Sequence, residues 1–133
     1  MTKFESSHFN ISMANATVAD FLAIPSNLQE ILPQDRIEDW KSDKDKCSFK
    51  IKGLAHISLK LVSHEPHCVV YASDSDKPFA FELIVNMDET GNQSCDLSAS
   101  FDADVNSFMG AMLKSPLTNF LNSLGEALKQ KFG

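Results

Sequence analysis

The stretch Ser94-Cys95-Asp96-Leu97-Ser98-Ala99-Ser100-Phe101-Asp102-Ala103-Asp104-Val105 decides the fold. Its odd positions are apolar and its even positions are serine or aspartate. Successive side chains of a strand point to opposite faces, so this is a strand with one dry and one wet face. The same period runs upstream. Phe79, Phe81, Leu83, Val85 and Met87 repeat it with Glu82 and Asn86 opposite, and Ile57, Leu59 and Leu61 repeat it opposite His56, Ser58 and Lys60. Cys47, Phe49 and Ile51 repeat it, and Val69 and Tyr71 supply a shorter strand. Between them lie turn residues: Asp43 to Asp45, Gly53, Glu65-Pro66, Asp74 to Pro78 and Glu89 to Asn92. Such short separators join strands antiparallel, because a parallel crossover needs a dozen residues or more.

Outside this period-two region the pattern changes. Lys3 to Ser12 reads as one opening strand. Val18, Phe21, Leu22 and then Leu28, Ile31, Leu32 are spaced for two short helices, separated at Pro25-Ser26-Asn27. Ser12 or Asn15 is the expected cap of the first helix. Ser26 with Gln29 forms a capping box for the second, and Pro33 is its stop. Asn106 to Lys131 reads as one long helix whose apolar stripe runs from Met109 through Leu113, Leu117, Phe120, Leu121 and Leu124 to Leu128. Pro116 removes a backbone donor and is expected to kink or break it near Leu113. A one-faced antiparallel sheet must bury its dry side, and only this helix is long enough to cover it.

The 133 residues amount to one domain, spanning 1–133. Lys and Arg number 12 against 18 Asp and Glu, a net charge of −6, which argues against a nucleic-acid partner. No apolar run reaches the length of a membrane span, so stable membrane insertion is not expected. Three cysteines are an odd count without metal spacing, and the N-terminal residues carry no signal-peptide pattern. A soluble, reduced, cytoplasmic protein is the expectation. Ten Phe against one Tyr and one Trp imply a dry interior.

Few residues carry a chemical signature. His64-Glu65-Pro66-His67-Cys68 gathers metal-compatible ligands, but it sits at a hairpin tip with no second cluster, and it reads as a solvated turn. Asp102 and Asp104 share the wet face of their strand, where no environment shifts a carboxyl toward acid–base work. His8 and His56 read as surface residues, and no Ser-His-Asp set assembles. The five scattered glycines form no phosphate loop. No catalytic residue, metal or cofactor is expected.

The order strand, two short helices, antiparallel strands and long helix resembles the helix-grip fold of the START-like, or Bet v 1-like, superfamily of polyketide cyclases and lipid-transport proteins. The residues carrying the resemblance are Val18 to Leu22, Ile31-Leu32-Pro33, Trp40, Phe101 to Asn106 and Lys114 to Leu121. The resemblance is strongest to short bacterial members and spans nearly the whole chain. It implies an α+β fold: a curved seven-stranded antiparallel sheet wrapped around the C-terminal helix, with two short helices between strands 1 and 2. The plant allergens carry a glycine-rich loop where this chain has Ser42 to Lys46, so no role of that loop is carried over.

Members of that superfamily hold apolar ligands between sheet and helix. With the all-apolar inner face, this implies binding or transport of a small hydrophobic molecule in a cavity of roughly 300 Å³ or more. The residues expected to line it are Phe49, Ile57, Leu59, Tyr71, Phe79, Phe81, Leu83, Leu97, Phe101, Met109, Met112, Leu113, Leu117 and Phe120, with the Tyr71 hydroxyl as polar anchor. Two alternatives stay open: a polyketide cyclase or dehydratase, which needs polar groups inside, and a protein-interaction module with a filled core. The oligomeric state is open as well. The entrance is expected between Phe108–Ser115 and the turns at Gly53 or Asp74–Pro78. Pro116 either hinges that segment or simply bends the helix along the sheet.

Overall fold

The computed structural model describes residues 2–32, 35–52, 55–74 and 79–132. The chain opens with β1 (Thr2–Glu5) and β2 (Phe9–Ile11), followed by α1 (Asn15–Leu22) and α2 (Pro25–Ile31). Six strands come next: β3 (Ile37–Ser42), β4 (Lys46–Ile51), β5 (Ala55–Glu65), β6 (Cys68–Ser73), β7 (Phe81–Gly91) and β8 (Ser94–Ala103). The long helix α3 (Ser107–Phe132) ends the order. The strands make one antiparallel sheet in the order β1-β8-β7-β6-β5-β4-β3, and β2 also pairs with β8.

The eighth strand arises because the opening strand is broken in two. Ser6 N–H still donates to Ala99 O at 2.8 Å, but its hydroxyl replaces its carbonyl in the ladder. Ser6 Oγ accepts from Ala99 N–H at 2.9 Å and donates to Ser7 O at 2.7 Å. A side chain thus enters the ladder, and β2 resumes three residues later on the same partner strand. Register shifts in β3, β5 and β7 bend the sheet further. The β3 shift spans Asp39, whose φ is 58°, a left-handed conformation that aspartate tolerates.

Both helix caps differ from expectation. Pro25 is the first residue of α2, where its fixed φ and missing N–H cost nothing, so Ile24 is the cap and Ser26 lies inside. Ala14 precedes α1 without a side-chain cap, and Asn15 instead donates to Met87 O at 3.3 Å, tying the helix start to β7. The expected stop at Pro33 lies outside the described residues. Pro116 does not break α3, which runs unbroken through it.

On the inner face of the sheet, Cys47, Phe49, Ile51, Leu97, Ala99 and Phe101 are buried. Leu117, Phe120, Leu121, Leu124 and Leu128 of α3 close over it. The two halves of α3 are held unequally. Its C-terminal end is clamped to the short helices: Lys131 Nζ lies 3.3 Å from Glu30 and 4.9 Å over the Phe21 ring, and Phe132 packs edge-on against Phe21 at 5.4 Å. Its first turns expose Phe108 (76%), Met109 (41%) and Met112 (62%).

Candidate functional site

Most of the residues expected to line a cavity meet in one interior. Phe49, Ile57, Leu59, Tyr71, Phe81, Leu83, Leu97, Phe101, Leu117 and Phe120 are all buried there. Phe79 and Leu113 pack half-buried at its margin. Met109 and Met112 stand out in solvent. Aromatic rings cross this interior in series. Trp40 stacks on Phe49 at 5.7 Å, Phe49 meets Phe120 at 6.1 Å, and Phe120 meets Phe101 at 6.3 Å. Phe81 and Phe79 continue the series at 5.1 and 5.9 Å. The Tyr71 hydroxyl donates to Leu22 O at 2.5 Å, so its proton is already engaged in joining β6 to the end of α1. Burial pushes that phenol well above its ordinary range.

A cleft of about 540 Å³ opens where sheet and helix part company. One wall is β1, touched along all of Thr2 to Glu5. Four consecutive residues of a strand alternate between faces, so a cleft meeting all four runs along the strand's edge and sees its main chain. The other wall is a stripe of α3: Ser107, Gly110, Ala111, Lys114 and Thr118. That spacing is one helical face, and its side chains, Lys114 apart, are small. Helix and strand approach each other closely at two places along this seam. A methyl on Gly110 would sit 3.2 Å from Thr2 Cγ2, and Asn122 Oδ1 accepts Ser7 N–H at 2.8 Å.

Sequence reasoning missed this cleft. The two walls lie about a hundred residues apart in sequence, and the helical stripe is small rather than apolar. The available signal was the recurrence of Ser107, Gly110, Ala111, Lys114 and Thr118 at helical spacing beside the apolar stripe. Of the two turns expected to border an entrance, residues 53 and 75–78 lie outside the described residues.

The remaining polar candidates sit on surfaces. His64 Nε2 pairs with Asp20 at 2.9 Å and His67 Nε2 with Glu65 at 3.3 Å. Asp102 is half-exposed on the outer face and Asp104 lies beyond the strand end. His8 Nδ1 lies 2.7 Å from Asp96, whose hydrogen bond and charge raise the imidazole above its ordinary value. Ser100 breaks the wet-face rule: it is 4% exposed, and its hydroxyl has no hydrogen-bond partner among the described residues. Desolvation pushes the Cys47 thiol up to about 12, so it stays protonated and inert.

No protein-family model matches the chain, and no curated protein matches it. Solved structures resemble it over nearly its full length. A norcoclaurine synthase point mutant from Thalictrum flavum, in complex with a transition-state analogue, aligns with TM-score 0.77 at 11% identity, covering 98% of this chain and 93% of that one. A START superfamily protein from Mycobacterium smegmatis aligns with TM-score 0.71 at 13% identity, over 98% and 96%. The Aha1 dimer from Colwellia psychrerythraea aligns with TM-score 0.65 at 17% identity, over all of both chains. At such identities the likeness concerns the fold alone.

Proposed function

Since the chain has the START/Bet v 1-like helix-grip fold, we propose that it binds a small hydrophobic molecule between the sheet and α3. The observation supporting this is the cleft of about 540 Å³ between β1 and the first half of the helix, within the size range of small-molecule sites. In this reading the ring-filled interior is rigid scaffold rather than part of the cleft lining. Met109 and Met112 point to solvent and Leu113 packs at the core margin, away from the helical stripe that lines the cleft. Binding is favoured over cyclase chemistry by the interior itself. Among the described residues the buried side-chain polar groups are the Ser6, Ser100 and Tyr71 hydroxyls and the Cys47 and Cys95 thiols, so no buried carboxylate or imidazole is there to act as an acid–base pair.

The test is a closed cleft. Ala111 is exposed on the helical wall, so Ala111→Trp fills the space without disturbing the core. An apolar fluorophore bound by the wild type is expected to lose its emission gain in the variant at unchanged melting temperature. Equal binding by both proteins would place the ligand elsewhere.

A further inference from the structure

We infer that the molecule bound in the β1–α3 cleft carries an anionic oxygen group, a carboxylate in the simplest case, held by Lys114 and the main-chain edge of β1. The inference rests on the proposed ligand-binding role and specifies the chemistry of that same site.

The main chain supplies the first half of the argument. Along an antiparallel strand, backbone N–H groups point alternately toward the partner strand and away from it. Ser6 N–H points to β8, donating to Ala99 O, and Ser7 N–H points the other way, to Asn122 Oδ1 on α3. With Glu5 paired to Ser100 and Lys3 to Asp102, the alternation turns the N–H groups of Glu5 and Lys3 to the same side as that of Ser7. Ser7 has its acceptor from the helix. Toward its N-terminus the facing stripe of the helix is small apart from Lys114, and the cleft lies there instead. A ligand oxygen in the cleft would do for Glu5 N–H what Asn122 Oδ1 does for Ser7 N–H.

Charge supplies the second half. Lys3 and Glu5 compensate each other at 3.3 Å. Lys114 has no ion-pair partner among the described residues. The cleft therefore carries one uncompensated positive charge on a protein of net charge −6. Apolar surface from Phe4, Gly110 and Ala111 completes the lining.

Two probes separate head group from body: tetradecanoate and tetradecanol, titrated against wild type, Lys114→Met and Ala111→Trp. Lys114 is exposed, and methionine keeps its apolar stem, so the variant is expected to fold normally. Wild type should bind the acid roughly tenfold more tightly than the alcohol, the scale of a charge-assisted hydrogen bond. Lys114→Met should bring the acid down to the alcohol's affinity and leave the alcohol unchanged. Ala111→Trp should abolish both. Equal wild-type affinity for the two probes, or a preference that survives Lys114→Met, overturns the anionic assignment and leaves the ligand-binding role standing. Acid binding that survives Ala111→Trp overturns the location. If neither probe binds the wild type, both readings fall.

Discussion

Gly125 lies flat against the ring of Phe9, and a side chain there would collide with that ring. This contact, fifteen residues beyond Gly110, fixes how closely the clamped half of α3 approaches the sheet. Helix propensity alone would reward alanine by about 1 kcal/mol at either glycine. At Gly125 the overpacking penalty, about 1–3 kcal/mol, should win, because the added methyl would overlap several ring atoms of the half-buried Phe9 at once. At Gly110 the neighbour is a Thr2 methyl at 3.2 Å on a short edge strand. Gly125→Ala is expected to lower the melting temperature and Gly110→Ala to hold or raise it. Equal losses would show that the two ends of α3 are packed alike.

Tyr71 separates scaffold from site. Its buried hydroxyl satisfies Leu22 O, so Tyr71→Phe leaves a buried carbonyl without its donor, at a cost of about 1–3 kcal/mol in denaturant unfolding. The affinity for a hydrophobic ligand in the cleft should not change. A large affinity loss with little change in stability would make Tyr71 the ligand anchor after all.

The His8–Asp96 pair gives stability a pH dependence. Its hydrogen bond and charge raise the imidazole above 6.5, so the stabilisation is complete below that value and fades as pH rises through the folded value. Wild type should lose more stability than Asp96→Asn between about pH 6 and pH 8, measured by thermal unfolding at low salt. Parallel pH profiles would mean that the pair does not persist in solution.

The unequal anchoring of α3 predicts unequal motion. Amide exchange should be faster from Phe108 to Ser115, where large apolar side chains are exposed, than after Leu117, where they are buried. Pro116→Ala restores the donor for Met112 O and should slow exchange in the first segment. If exchange there is already as slow as in the second half and the substitution changes nothing, Pro116 only shapes the helix.

How much of this was legible follows from which interactions are local. The alternation from Ser94 to Val105 and the apolar stripe from Leu113 to Leu128 are periodic within one element, so they reveal strand, helix and buried face. The break at Ser6 was hidden because it depends on a hydroxyl joining the ladder of a strand ninety residues away. Ser100 was read as wet because alternation records the face but not what stands across it: there it lies between Glu5 of β1 and Ile84 of β7. The cleft was hidden for a related reason. It is a gap left by small side chains on one element facing the edge of another, and periodicity of hydrophobic residues does not register a gap. Met109 and Met112 show the converse: the apolar stripe placed them on the cavity lining, but at the first turns it is Gly110 that faces β1 and the two methionines are exposed.

The central claim is that an apolar small molecule occupies the space between β1 and the first half of α3. Backbone amide chemical shifts on addition of tetradecanoate test it most directly. The account predicts that the resonances of Lys3, Glu5, Gly110, Ala111 and Thr118 move together and saturate, while those of Phe49, Leu59 and Tyr71 in the ring-filled interior stay in place. Saturable shifts centred on Phe49, Leu59 and Tyr71, with the β1 and α3 resonances unmoved, would contradict it.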